Sequence, residues 1–119
     1  MFKPCPPSPN CVNSQQTEAK CFIEPLQLVE PYAQSWQAFV EFLQRHSEIR
    51  IQNMSDTSIG AIAVTLFFRF VDDVQFELDQ ERGKVDMRSA SRLGYYDLGK
   101  NRKRLENLRS ELLALGIVT

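Results

Sequence analysis

The segment VDMRSASRLGYYDLGKNRKR, residues 85–104, concentrates the chain's chemistry. Arg88, Ser89, Ser91 and Arg92 come first, then Gly94, Tyr95, Tyr96, Asp97 and Gly99, and then the cations Lys100, Arg102, Lys103 and Arg104. Guanidinium groups, hydroxyls and the free N–H groups of a helix start are the donors that a phosphate or carboxylate needs. A helix N-terminus is itself partly positive, so each unpaired cation in its first turn costs roughly 0.3–1 kcal/mol. Something must offset that cost: Asp97, a carboxylate of the pair Asp72-Asp73 in FRFVDDVQF, or a bound anion. The expected anion-binding set is Arg88, Ser89, Ser91, Arg92, Asn101 and Arg104. Asp72, Asp73 and Asp97 would orient it, and Gly94 and Gly99 would shape the connection. The opposing reading is a solvated face closed by internal salt bridges.

Other chemistry is sparse. Adjacent strand residues point to opposite faces, which argues against Asp72 and Asp73 sharing a proton. One aspartate is expected to cap a turn and the other to pair with Arg69, Arg88 or Arg92. The single histidine, His46, falls at a helix C-terminus, where the dipole favours it without any catalytic role. G-x-S-x-G, the phosphate-cradling G-x-x-x-x-G-K-[ST] and G-x-G-x-x-G are all missing. No catalytic set, metal site or cofactor is therefore expected. Cys5, Cys11 and Cys21 are an odd count, which argues against a complete disulfide framework. A Cys5–Cys11 bridge around PPSPN is geometrically feasible.

The elements that must position these groups are legible from periodicity. Residues 1–20 are rich in Pro, Ser, Asn and Gln and read as an extended arm, followed by one domain over 21–119. CFIEPLQLVEPYA is extended, because Pro25 and Pro31 block a helix. Ser35 is the expected N-cap of a helix over about 35–46, with Trp36, Phe39, Val40 and Leu43 as its apolar stripe. EIRIQNM alternates as a short strand. IGAIAVTLFFRFV is apolar on both faces, as a central strand would be: Ile62, Val64, Leu66, Phe68 and Phe70 against Ala61, Ala63, Phe67 and Val71. DVQFELDQERGKVDMRS reads as a hairpin. Matching its apolar faces pairs Leu78 with Val85, Phe76 with Met87 and Gln75 with Arg88, and QERG becomes the loop. Arg88 then sits diagonally from Asp73 and Glu77, within salt-bridge reach. A second helix over about 100–115 carries Leu105, Leu108, Leu112 and Leu115, with Gly116 as its stop. The fold class is α+β: an antiparallel sheet of three to five strands with two helices on one face.

Composition narrows the partners. With a net charge of −1, bulk charge gives no support for nucleic-acid or anionic-membrane binding, so any electrostatic partner must be met by local clustering. Tyr95 and Tyr96 could stack on bases, but one basic cluster is a poor nucleic-acid footprint. No apolar run reaches the roughly 18–20 residues of a membrane helix. The opening MFKPCPPSPNC lacks a signal-peptide core, so the chain as given reads as cytoplasmic, or as periplasmic or membrane-associated if a leader has been removed.

These residues also resemble a family of uncharacterised proteins, the domain of unknown function 1499. CPPSPNCVNSQ resembles its opening signature, IEPL its next block, FRFVDDVQFELD its central aspartate motif and RSASRLGYYDLGKNRKRLENLR its hallmark segment. The resemblance covers nearly the whole chain. It implies a shared residue set: Cys5, Pro9, Asn10, Cys11, Asp72, Asp73, Arg88, Ser89, Ser91, Arg92, Gly94, Asp97, Gly99, Asn101 and Arg104. It implies no activity, since the family's is unassigned, although many members are exported, membrane-associated or plastid-targeted. The chain departs from the pattern at Asn13, at Gln75 and in the small residues of SIGAIAVTLFF.

Three functions fit this reading. The first is a small, soluble, non-enzymatic binding or accessory module with an anion site at the RSASR-to-helix connection. The second is a protein-interaction or assembly factor at or near a membrane surface, with structural motifs only. The third is an enzyme using Cys5 or Cys11.

Overall fold

The computed structural model describes residues 1–64 and 70–119. Its elements are β1 (Cys11–Asn13), β2 (Leu26–Gln27), α1 (Tyr32–Arg45), β3 (Arg50–Met54), β4 (Ser58–Val64), β5 (Val71–Asp79), β6 (Lys84–Ser91) and α2 (Lys100–Ala114). All the strands are antiparallel, in the order β1-β6-β5-β4-β3, and β2 also pairs with β6. Among the described residues the sheet thus has six strands rather than three to five. The two extra strands are short and lie end to end along the free edge of β6, where backbone donors and acceptors would otherwise go unpaired. Too short to show an alternation, β1 and β2 leave no periodic signal in the sequence.

The hairpin has the expected register: Leu78 opposite Val85, Phe76 opposite Met87 and Gln75 opposite Arg88. Gly83 closes its loop at φ +66°, and a Cβ there would collide with the ring of Tyr32. Inward residues Ile59, Ala61, Ala63, Val74, Phe76, Val85 and Met87 form the core with the helices. Phe39 of α1 meets Phe76 edge-on at 5.1 Å, and Leu105, Leu108 and Leu112 of α2 are fully buried. Burying side chains of this size stabilises by roughly 1.5–3 kcal/mol each, so this face dominates the fold's energy.

Three details differ from the sequence expectation. Helix α1 starts at Tyr32, with Pro31 as its N-cap residue, not at Ser35. Ser35 is instead inside the first turn, and its Oγ donates to the carbonyl of Val29 at 2.6 Å, which ties the helix to the preceding strand segment. Leu115 ends α2 as its C-cap and is exposed, because the apolar stripe turns away from the sheet after Leu112. Arg88 forms no salt bridge with Asp73 or Glu77. In β4, Ala61 and Ala63 face the core and Ile62 and Val64 are half-buried on the other side; Leu66, Phe67, Phe68 and Arg69 lie outside the described residues.

The outer face of the sheet is partly covered by the N-terminal residues. The Met1 amine pairs with Glu77 at 3.1 Å, Phe2 is buried, and the Phe2 N–H donates to Gln15 Oε1 at 2.8 Å. Cys5 and Cys11 form a disulfide, so neither sulfur is available as a thiolate nucleophile. Cys21 is a buried free thiol.

Candidate functional site: two faces of one strand

The motif RSASR ends β6, and the pleat of the strand distributes its side chains. Ser89 and Ser91 face α2, while Arg88 and Arg92 face the opposite side of the sheet.

On the helix side, Asn101 of α2 is the hub. Its Oδ1 accepts from Ser89 Oγ at 2.6 Å and from Arg104 Nη1 at 3.0 Å. Its Nδ2 donates to Asp97 Oδ2 at 2.8 Å, Ser91 Oγ at 2.9 Å and the Asn10 carbonyl at 3.1 Å. Arg104 also donates to Ser89 Oγ at 3.2 Å and to Asp72 Oδ2 at 2.8 Å, and Lys100 Nζ lies 3.2 Å from the same oxygen. Asp72 is 0% exposed, and the two cations compensate a carboxylate that could not be buried alone. Asp72 Oδ1 has no hydrogen-bond partner among the described residues.

Asp97 starts the helix. Its Oδ1 accepts from the Gly99 N–H at 2.8 Å and its Oδ2 from the Asn101 N–H at 3.1 Å, while Gly99 turns the chain at φ +77°. Burial by itself would raise the Asp97 pKa, but the hydrogen bonds from Asn101 and Gly99 outweigh it and hold the carboxyl below its ordinary value. The cation-loaded helix start is therefore compensated internally, by Asp97 on the backbone and Asp72 on Lys100 and Arg104. Ser89 Oγ bonds an amide and a guanidinium, neither of which can accept its proton, so it has no general base.

On the opposite side, Arg92 makes a two-pronged ion pair with Asp73, Nε to Oδ2 at 3.0 Å and Nη2 to Oδ1 at 2.9 Å. Arg88 has no such partner. Its residue is only 7% exposed, its Nη2 makes one long bond to the Pro4 carbonyl at 3.4 Å, and its buried Nε has no partner among the described residues. Burial lowers the pKa of Arg88, and the nearby charge of Asp73 only partly restores it. Both arginines line an open cleft of about 440 Å³ with Lys3, Asp73 and the amides of Gln52, Asn53 and Gln75. Gly60 forms its floor, where the Asn53 side chain lies so close that any Cβ would displace it.

The structure therefore joins Ser89, Ser91, Asn101 and Arg104 with Asp72 and Asp97, and separates them from Arg88, Arg92 and Asp73. Gly94 lies where its carbonyl accepts from Asn10 Nδ2 at 2.8 Å. Pairing of an aspartate with Arg69 lies outside the described residues. Lys3, Gln52 and Asn53 escaped sequence reasoning, since nothing local marks an arm lysine or an edge-strand amide as cleft residues. Asn10 was signalled only by the Pro-Asn-Cys-Val motif. His46 is remote from both clusters, with Nε2 3.1 Å from Glu111 Oε2. Among the described residues no group of three or more His, Cys, Asp or Glu is placed to hold a metal ion, and no helix is long and apolar enough to cross a membrane.

No curated protein and no solved structure matches the chain. A family model described as "Protein of unknown function (DUF1499)" matches residues 1–112, nearly the full length and every residue of both clusters. On that match the chain belongs to the DUF1499 family.

Proposed function

We propose that this protein is a small non-enzymatic binding or accessory module whose outer sheet face holds an anionic group, a phosphate or a carboxylate, against Arg88. The observation that carries the reading is the state of that side chain: buried, unpaired by any carboxylate and bordering an open polar cleft. A guanidinium withdrawn from water without its hydrogen bonds costs free energy, and an anion in the cleft would recover it. Lys3 adds a second positive charge, whereas Arg92 and Asp73 neutralise each other. Ser89, Ser91, Asn101 and Arg104 serve the site indirectly, by fixing β6 to α2.

The test is calorimetric titration with inorganic phosphate and with a short dicarboxylate at constant ionic strength. Wild-type protein is expected to bind at least one of them, and Arg88→Met is expected to abolish the signal while keeping a cooperative thermal transition. A folded Arg88→Met protein that binds every tested anion as tightly as wild type overturns the reading. The internal pairing of the helix-side cations with Asp72 and Asp97 favours a second reading, in which the motifs are structural and the protein acts as an assembly factor. Failure of the wild type to bind any anion, together with recovery of a stoichiometric protein partner, would support it.

A further inference from the structure

The outer sheet face carries a row of residues that runs across the strands. Register places Asn53 of β3 opposite Gly60 of β4, Gly60 opposite Gln75 of β5, and Gln75 opposite Arg88 of β6. Three strand spacings separate the ends of this row, roughly 14 Å. The open cleft follows it, with Arg88 at one end, Gln75 beside it, and Gln52 and Asn53 at the other. An anion held by Arg88 alone uses one end of such a cleft.

Two local devices build the amide end. The register of β3 on β4 shifts between Ile51 and Asn53, so Gln52 is the extra residue of a bulge. Ile51 packs against the core, and strict alternation would turn Asn53 toward that same face. The bulge turns it outward, and Gln52 and Asn53, adjacent in sequence, both line the cleft. Gly60 is the second device. A Cβ there would lie 2.6 Å from Asn53 Oδ1, so the missing side chain lets the amide lie down on the sheet. Among the described residues, nothing in the protein hydrogen-bonds the side-chain amides of Gln52, Asn53 or Gln75. Asp73, which also lines the cleft, is held by Arg92.

Resting on the anion reading of Arg88, we infer that the cleft takes a polyhydroxylated anion, a sugar acid or a sugar phosphate, whose hydroxyls are read by Gln52, Asn53 and Gln75. A carboxamide offers a donor and an acceptor side by side, which matches a hydroxyl that also does both. Three of them beyond a guanidinium fit a ligand with its charge at one end and hydroxyls along its body. The cleft volume of about 440 Å³ lies within the roughly 300–1,000 Å³ of small-molecule sites. The half-buried Ile62 beside the row supplies an apolar surface for the C–H face of a ring. A peptide strand is the poorer fit, because it would add along β3, where the bulge breaks the ladder, and not across four strands.

The experiment titrates the full chain calorimetrically, at constant ionic strength, with two pairs of anions. Glucuronate is compared with cyclohexanecarboxylate, and glucose 6-phosphate with cyclohexyl phosphate. Each pair shares its charged group and ring size and differs in hydroxyls, and the two pairs distinguish a carboxylate from a phosphate source. In at least one pair the sugar is expected to bind about tenfold or more tightly than its cyclohexyl counterpart, the gain of one or two net hydrogen bonds. Asn53→Ala, on the exposed edge strand, should keep a cooperative thermal transition and lower that ratio about threefold. Asn53→Ala/Gln75→Leu should bring it close to one. A ratio near one for the wild type in both pairs overturns the inference, as does a ratio that both variants leave intact. Cyclohexyl anions that bind through Arg88 with no preference for the sugars would sink the hydroxyl inference alone. Failure of all four anions to bind would take the Arg88 reading down with it.

Discussion

The two faces of β6 solve the same electrostatic problem differently. On the helix side, the buried Arg104 and the half-buried Lys100 both lie within 3.2 Å of one oxygen of the buried Asp72, and Asn101 ties Arg104 to the strand, leaving only Asp72 Oδ1 without a partner among the described residues. On the open side, Arg88 is at least as buried as Arg104 yet has no carboxylate within salt-bridge distance among the described residues. Alternate residues of one five-residue motif thus serve a sealed joint and an unsaturated cleft. The contrast separates what holds the fold from what is free to bind. The helix-side cluster leaves over a carboxylate oxygen, Asp72 Oδ1, which offers an anion no donor, whereas an orphaned guanidinium beside a cleft does.

The sharpest way to break the contrast is to unbalance the sealed side. Asp72→Ala leaves the Lys100 and Arg104 charges against the core without a counter-ion, so chemical denaturation should show a loss of about 3–5 kcal/mol. A loss below about 1 kcal/mol would mean that those cations reach solvent and that the joint is not sealed. Next is Asn101→Ala, which strands Ser89, Ser91 and the Asn10 carbonyl at once. It should cost about 2–3 kcal/mol while leaving any anion affinity of the Arg88 cleft within about twofold.

The disulfide tests the other face. Removing it with Cys5→Ser/Cys11→Ser frees the arm that brings Lys3 and Pro4 to the cleft. Stability should fall by about 2 kcal/mol from the loop-closure entropy of a six-residue separation. Unlike Asn101→Ala, it should weaken anion binding as well.

The smallest effect is the pH response of the helix start. The folded pKa of Asp97 lies below its ordinary value of 3.8. Its contribution is therefore fully present above that pH and is lost as pH falls through the folded pKa. Thermal melts between pH 5 and pH 2 should show a decline of which Asp97→Asn removes a part. An unchanged slope in the variant would exclude Asp97 as the helix-start anchor.

Much of the fold was legible in the sequence because its apolar residues repeat with the periods of the elements they form. Phe76 and Leu78 against Met87 and Val85 fixed the hairpin register, since a slip of one residue would turn the whole set to the wrong face. Helix α2 was legible through Leu105, Leu108 and Leu112. The start of α1 was not, because Ser35 has the chemistry of an N-cap but is used one turn inside the helix to hold Val29. The site was half legible. Residue types in RSASR pointed to anion chemistry, and the cations from Lys100 to Arg104 pointed to a helix start in need of compensation, with Asp97 as one candidate. That Arg104 would take Asp72, and Arg92 would take Asp73, depends on contacts between residues 19 to 32 positions apart.

By itself the sequence determined the α+β class, the hairpin register, the cation-loaded helix start and membership of a recognisable family. These follow from local periodicity and from residue order, which need no knowledge of what lies across the sheet. Only the tertiary structure decided which arginine stays unpaired. The strand pleat sends Arg88 and Ser89 to opposite sides, and the helix that supplies Asn101 and Arg104 covers one side alone. The arm that supplies Lys3 and Pro4 crosses the other. Charge compensation between such residues depends on distance in space, and that is settled only when the sheet, helix and arm are assembled.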